Sequence, residues 1–124
     1  MRSVTLDLNT HASTGAASTT GRIIFGKLYA VKYEPGNIDT GATLTITCVH
    51  PNTGAKPLLI KASAGTAISW YYPRDLVHAV ADGAALTGTS GGDRCLPILD
   101  GAITAAIASG ANSKTGRVVI YYED

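Results

Sequence analysis

Charge is scarce in this chain. Only 15% of its 124 residues are Asp, Glu, Lys or Arg, whereas soluble domains usually hold about 25%. The ten Lys and Arg are scattered singly, and the formal net charge is +1. Nucleic-acid binding normally needs clustered basic side chains, so we expect no nucleic-acid partner. So few charges indicate either wide contact with other protein or a Thr/Ser-covered β-surface that needs no partner.

Long apolar runs and cysteines are also scarce. No run approaches the ~18 apolar residues of a membrane span, and residues 1–7 have no apolar signal core, so we expect neither a membrane partner nor Sec export. The only two cysteines are Cys48 and Cys95. Their apolar surroundings favour buried, reduced thiols, and one disulfide closing the long loop between them is the alternative.

Motifs for catalysis and metal binding are missing. Nucleophilic catalysis needs Ser or Cys beside His and a carboxylate. The His and Asp residues that could serve are scattered, and no motif groups them: His11, His50, His78, Asp75, Asp93 and Asp100. Ser90 lacks the frame of a nucleophile elbow, and Lys114 lacks the preceding Gly of a phosphate loop. Metal-ligand spacing is absent too, so we expect no enzyme, no metal and no cofactor.

A β-type pattern runs through most of the chain. Residues 43–50 alternate cleanly, with Leu44, Ile46, Cys48 and His50 on one face and three Thr on the other. Similar patterns predict further strands at 4–8, 22–33, 58–61, 67–72, 76–80, 95–99, 102–108 and 117–122. Turn signals recur about every ten residues. The sequence therefore predicts one all-β domain over residues 1–124, an antiparallel, jelly-roll-like β-sandwich of about eight to ten short strands.

Glycine, alanine and small polar residues predict the connections. Segment 9–20 is small, polar and patternless, which predicts a flexible loop or arm. Gly26 inside an apolar run indicates a bulge or a close backbone approach. Asp100-Gly101 is a hairpin signal, and the alanine-rich stretch after it is expected to be a strand rather than a helix. The glycine-rich segment 81–93 is expected to be a surface loop.

The aromatic run Trp70-Tyr71-Tyr72 holds the only Trp, and Pro73 ends it. In a strand, Trp70 and Tyr72 share one face while Tyr71 takes the other, so at least one face is expected to be core. Aromatic rings also stack on sugars, which makes the run a candidate glycan platform.

Several segments resemble a known family when taken in order. They are GKLYAV (26–31), IDTGATLTI (38–46), WYYPR (70–74) with LVH (76–78), GAALTG (83–88), GDR (92–94) and SKTG (113–116). Their order is similar to that in small proteins encoded in the head-gene clusters of tailed bacteriophages. The resemblance implies a virion structural protein, a capsid cement or decoration protein that stabilises the mature head from outside.

The same resemblance implies partners and a location. The partners would be the major capsid protein and further copies of the chain, as a dimer or trimer, on a virion assembled in the host cytoplasm. A tail or fibre module that binds a glycan or receptor is one alternative, and a head–tail joining or tail protein is another. The expected contact residues lie in the polar arm, the long apolar strand, the aromatic run and the charges beside the glycine-rich loop: Thr10, Ser13, Thr14, Phe25, Tyr29, Trp70, Tyr72, Arg74, Asp75, Asp93 and Arg94.

Overall fold

The computed structural model describes residues 1–50, 52, 54–76 and 94–124. These residues form nine strands: β1 (Arg2–Asn9), β2 (Ala17–Glu34), β3 (Thr43–His50), β4 (Gly54–Lys61), β5 (Ser69–Tyr71), β6 (Asp75–Leu76), β7 (Arg94–Cys95), β8 (Ile98–Ala108) and β9 (Thr115–Glu123). Within these ranges there is no helix, and so none that is long and apolar enough to cross a membrane. The predicted all-β, antiparallel, sandwich-like fold is confirmed.

Seven strands pair in one antiparallel sheet, in the order β1-β9-β2-β8-β3-β4, with β5 also paired to β2. Strand β2 is eighteen residues long and is shared between two parts of that sheet. Its residues 17–27 pair with β8, and its residues 27–34 pair with β9. We call β4, β3, β8 and residues 17–27 of β2 the first half-sheet. The second half-sheet is β5, residues 27–34 of β2, β9 and β1.

The two half-sheets face each other because β2 bends. Leu6 of β1 lies two strand spacings, roughly 10 Å, from Tyr33 along the rung Leu6–Val118–Tyr33. A Cβ on Gly21 would nevertheless lie only 2.9 Å from the Leu6 side chain. Twelve residues of straight strand would carry Gly21 about 40 Å away from Tyr33. The sheet therefore folds over on itself and encloses one core between its two inner faces.

The bend is centred on Gly26. Register irregularities lie on either side of it, between Thr20 and Ile23 and between Leu28 and Ala30. Gly26 has a φ of +152°, a conformation that side chains rarely adopt. The carbonyl oxygen of Glu123 occupies the place where a Cβ would stand. The predicted close backbone approach at Gly26 is confirmed.

The core follows the alternation seen in the sequence. Leu44, Ile46 and Cys48 are at most 1% exposed, as predicted for one face of β3. Full burial of a side chain of this size contributes roughly 1.5–3 kcal/mol. The largest fully buried residues are Leu8, Leu28, Val31, Tyr33, Pro35, Ile38, Leu44, Ile46, Leu99, Ile103, Val118 and Ile120. They come from both half-sheets, so neither half can bury its apolar face without the other.

The prediction of a flexible loop or arm over residues 9–20 is wrong at both of its ends. Asn9 closes β1, and residues 17–20 open β2. The seven residues between them are tied to the turn before β9 through Thr10. The Thr10 hydroxyl donates to the Ala111 carbonyl at 2.7 Å and accepts from the Lys114 amide at 2.6 Å. The Thr10 amide also donates to the Lys114 carbonyl at 2.8 Å.

Two predictions around β8 are corrected. Asp100-Gly101 does not form a hairpin but lies inside β8, where the Val49 carbonyl takes the place of a Gly101 Cβ. Glycine is therefore present for a close strand approach and not for a turn. The predicted strand 95–99 is broken at Pro97, whose carbonyl accepts from the Leu28 amide at 2.9 Å. The alanine-rich stretch after Gly101 is a strand, as expected.

The remaining sequence predictions have mixed outcomes. No disulfide joins the two cysteines: Cys48 is buried as expected, but Cys95 is exposed, so its predicted burial is wrong. The predicted strand 76–80 is described only at Leu76, and the predicted loop 81–93 lies outside the described residues.

Replacing Gly26 by alanine tests the bend. We expect Gly26→Ala to lower the free energy of unfolding by about 3 kcal/mol or more, because the new Cβ meets the Glu123 carbonyl and β9 must shift. Urea unfolding followed by circular dichroism measures the loss. Gly65→Ala is the matched control: Gly65 has a φ of +84° but nothing within 4 Å of its Cβ position. It should cost only about 1 kcal/mol of backbone strain. Equal losses in the two variants would show that β2 does not depend on this contact.

Candidate protein-contact surfaces

Four predicted contact residues lie on β5, just after it, or on the neighbouring part of β2, and Tyr121 of β9, which was not predicted, stacks on one of them. We call Tyr29, Trp70, Tyr72, Arg74 and Tyr121 the aromatic cluster. Trp70 and Tyr121 are stacked, with ring centroids 5.3 Å apart and an interplanar angle of 28°. Trp70 is 46% exposed, and Tyr72, one residue beyond β5, is 56% exposed.

The core side of β5 belongs to Tyr71, which packs against the buried residues. This agrees with the predicted split of the aromatic run, in which Tyr71 faces away from Trp70. Lys32 pairs with Trp70 across the β2–β5 ladder and places its ammonium 5.4 Å from the Trp70 ring centroid. A cation at this distance from an indole is attracted by the ring.

Arg74 is held against Tyr29 by two kinds of contact. Its guanidinium carbon lies 5.8 Å from the centroid of the Tyr29 ring. Its Nη1 donates to the Tyr29 carbonyl at 3.0 Å and to the Pro73 carbonyl at 2.7 Å. The chain after β5 is therefore fixed to β2, and the Tyr29 ring, 40% exposed, stays at the surface beside a cation.

An ionic row continues from the cluster along the outer face of the second half-sheet. The Glu34 carboxylate accepts from Arg117 and lies 3.1 Å from the Lys32 ammonium. The hydrogen bond from Arg117, followed by that from Lys32, lowers the pKa of Glu34. The same bond to Glu34 raises the pKa of Arg117. Lys32 thus links the ion pairs to the Trp70 ring.

The outer face of the first half-sheet is different because the three rungs at its centre carry no charge. Three rungs cross its four strands from β2 to β4: Ser18–Ala106–Thr45–Ile60, Thr20–Thr104–Thr47–Pro57 and Ile23–Ala102–Val49–Ala55. We call these twelve residues the uncharged face. Ile23, Val49 and Ile60 are 54%, 37% and 67% exposed. The sequence analysis did not find this surface because its residues come from four separate strands.

Phe25 and Ile98 lie just beyond the Ile23 end of the uncharged face, 68% and 62% exposed. Their ladder partners, Asp100 and Lys27, are the first charged residues in that direction. Phe25 is thus the one predicted contact residue beside this surface.

The other predicted contact residues are dispersed. Thr10 is not available to a partner, because it is 7% exposed and holds the loop after β1. Ser13 and Thr14 are exposed in that loop, where the Ser13 amide donates to His11 Nδ1 at 3.1 Å. The backbones of Asp75 and Arg94 belong to the β6–β7 ladder, and Asp93 lies outside the described residues.

Reactive groups do not converge in the described ranges. No three His, Cys, Asp or Glu side chains there come together as a metal site. Burial raises the pKa of the Cys48 thiol, which lies 3.7 Å from Asp100 Oδ1. An open cleft of about 660 Å³ runs beside Glu34 and Arg117, where those two groups pair with each other.

Comparison with protein-family models, with curated proteins and with solved structures finds no match for this chain.

A double-mutant cycle tests whether the Trp70–Tyr121 stack stabilises the fold. We expect Trp70→Ala and Tyr121→Ala each to be destabilising, with a coupling free energy of about 0.5–1.5 kcal/mol, as for other stacked aromatic pairs. Urea unfolding of the two single variants and the double variant gives this value. The control cycle pairs Trp70→Ala with Ile60→Ala, an exposed side chain of β4 in the other half-sheet, and should show additive losses. A Trp70–Tyr121 coupling near zero would mean that the stack contributes nothing.

The ion pairs of Glu34 predict a pH dependence. The folded-state pKa of Glu34 lies below its ordinary value of 4.5. Its ion pairs therefore contribute fully to the free energy of unfolding above that pH, and this contribution is lost as the pH falls through the lower, folded-state pKa. We expect the urea midpoint to fall with pH in this acidic range, and Glu34→Gln to remove part of the fall. Glu123→Gln, at the end of β9, is the control. Identical pH profiles for wild type and Glu34→Gln would contradict the role of Glu34.

Proposed function

We propose that this chain is a virion structural protein of a tailed phage, a decoration protein that binds the outer surface of the mature head. The observation that carries the proposal is the aromatic cluster. Trp, Tyr and Arg are the residues most enriched among the energetic hot spots of protein interfaces. Here Tyr29 and Trp70 lie on the paired strands β2 and β5, Tyr72 and Arg74 follow β5, and Arg74 contacts Tyr29. The run 70–74 is also part of the resemblance to phage head proteins.

Within the cluster the residues have different tasks. Trp70 contacts Tyr121 and Lys32, so much of its ring is used inside the protein. Tyr72 and Tyr29 are the rings that we expect to enter pockets of the capsid protein. Arg74 is already hydrogen-bonded to β2, and this pre-organisation reduces the entropy that binding would cost.

Stabilisation of a shell follows from differential affinity. A protein that binds the expanded lattice more tightly than the precursor lattice shifts the equilibrium toward the expanded form. Each occupied site contributes RT ln(1 + [L]/Kd), about 2.7 kcal/mol when the free protein is at 100 times its Kd. Because this free energy is gained at every identical site of the shell, the bound copies together oppose the pressure of packaged DNA. This role needs a rigid scaffold with a contact surface and requires neither a catalytic group nor a cofactor.

A glycan-binding module is the second candidate, because exposed Trp70 and Tyr72 resemble a stacking platform. The contacts of the Trp70 ring with Tyr121 and Lys32 count against it, since a sugar would have to compete with them. A glycan array probed with the wild-type chain, followed by Trp70→Ala, separates the two functions. The number of copies per particle distinguishes a head–tail joining protein from a decoration protein, because a ring holds far fewer copies than a decorated shell.

Binding to particles tests the main proposal. We expect the double variant Tyr29→Ala/Tyr72→Ala to bind expanded heads that lack the native protein at least tenfold more weakly than wild type, a loss of about 1.4 kcal/mol or more. Copies per particle, quantified by mass spectrometry over a protein titration, give the affinity. Loss of DNA on heating measures stabilisation. Lys61→Ala, an exposed side chain at the end of β4 in the other half-sheet, is the control and should bind like wild type.

Three results would count against a decoration protein at this surface. They are unchanged affinity of the double variant, absence of the chain from purified particles, and full heat resistance in particles that lack it.

A further inference from the structure

We infer that Ala30 is a positioning residue for the aromatic cluster. Its small side chain lets the Trp70 and Tyr121 rings close over β2, and the closed stack holds the contact rings beside it in place. We call Ala30 the seat of the stack. The consequence for binding rests on the function proposed above, whereas the seat itself is a property of the free chain.

A β-bulge turns Ala30 toward the outer face of the second half-sheet. Leu28 pairs with Tyr122, and Ala30 pairs with Tyr121, the preceding residue of β9, so Tyr29 is an extra residue on β2. In a regular strand, residues 28 and 30 would point to the same face. Leu28 and Tyr122 belong to the core, so the extra residue places Ala30 and Tyr121 together on the opposite, outer face. Bulges often re-aim side chains next to functional sites.

The core does not account for the burial of Ala30. Its side chain is only 1% exposed although it points outward. Among the residues that the structure describes, Ala30 is the one buried apolar side chain that is not part of the core cluster. Its neighbours in the chain differ, because Tyr29 is 40% exposed and Val31 packs in the core. Side chains on the outer face must therefore cover Ala30.

The Trp70 and Tyr121 rings supply that cover. Residues 31–33 of β2 pair with β5 on one edge and with β9 on the other, so β2 runs between the two rings. Trp70 pairs with Lys32 and Tyr121 pairs with Ala30, which places the Trp70 and Tyr121 Cα atoms roughly 12 Å apart across β2. Their ring centroids are nevertheless only 5.3 Å apart. The rings therefore lean toward each other over β2 and close above Ala30.

The contact rings depend on this closed stack. The β2–β5 ladder contains only three residue pairs, so the Trp70 ring adds to a short attachment. Tyr72 follows Trp70 by two residues, and Arg74 then bonds the Tyr29 carbonyl. Tyr29, the extra residue of the bulge, directly precedes Ala30. The seat thus holds Tyr72 through β5 and Tyr29 through β2, and rings that are held in advance lose less entropy when they bind.

Leucine at position 30 tests the seat in the free chain. The added isopropyl group has no room under the closed stack, so the rings must part. Trp70 is the only Trp and reports this directly. We expect Ala30→Leu to shift the Trp emission to longer wavelength and to increase its quenching by acrylamide. Ala30→Gly, which adds no atom, should keep the wild-type emission. Ala106→Leu makes the same change at an outward, partly buried position of β8 and should keep it too.

A double-mutant cycle tests whether Ala30 acts through Trp70. Trp70→Ala removes the cover, so a leucine at position 30 can occupy the space that the ring leaves. We expect the fall in urea midpoint caused by Ala30→Leu to shrink by at least about half in the Trp70→Ala background, because residues in contact are not additive. If Ala30→Leu does not fold, Ala30→Val replaces it, since valine adds less volume and suits a strand.

Binding to particles connects the seat with the proposed function. Ala30→Leu should bind expanded heads at least about threefold more weakly than wild type, because the contact rings are no longer held in advance. Ala30→Gly should bind more tightly than Ala30→Leu. Ala106→Leu, in the other half-sheet, should bind like wild type.

Two results in the free chain would overturn the inference: wild-type emission and quenching in folded Ala30→Leu, and additive losses in the cycle. A third is wild-type affinity for particles in a folded Ala30→Leu variant whose emission is shifted, when Tyr29→Ala/Tyr72→Ala does bind more weakly. The contact rings would then be held by something else, and the proposed function would stand. If Tyr29→Ala/Tyr72→Ala also binds like wild type, the proposed function fails, and emission and the cycle alone decide on the seat.

Discussion

The crossing of the Glu123 carbonyl over Gly26 is the constraint on which the rest of the structure depends. It bends β2, and the bend turns one seven-stranded sheet into two half-sheets that share a core. Any side chain at position 26 would occupy the space of the C-terminal strand. Because β2 supplies inner-face residues to both halves, Ile24 in one and Val31 in the other, we expect the core to form as one cooperative unit.

Because the sheet folds over, its two outer faces point in different directions. The two faces also differ in chemistry. The second half-sheet presents rings and paired ions, joined through Lys32 to both Trp70 and Glu34. The first presents hydroxyl and alkyl groups without a charge. Both outer faces are carried mainly by paired strands of the one sheet.

How well the sequence predicts a feature depends on how local its cause is. The strand over 43–50 and the opposed facing of Trp70 and Tyr71 follow from residue alternation, and the structure agrees with both. Asp100-Gly101 has turn chemistry, but a distant contact with β3 makes the glycine necessary inside a strand. Thr10 has loop chemistry, but hydrogen bonds to residues a hundred positions away bury it. The uncharged face exists only through register between strands, which a linear pattern does not contain.

The position of β9 has a consequence for how the protein is made. Of the seven strands of the sheet, β9 is synthesised last, and it lies between the first two, β1 and β2, and pairs with both. Until it emerges, those two strands keep open edges and an uncovered apolar face. The sheet can therefore close only once synthesis has reached the C-terminal strand, and long-range pairings of this kind form slowly. Nascent chains are expected to be most prone to aggregation in that interval, when a neighbouring nascent chain could pair with the waiting edges.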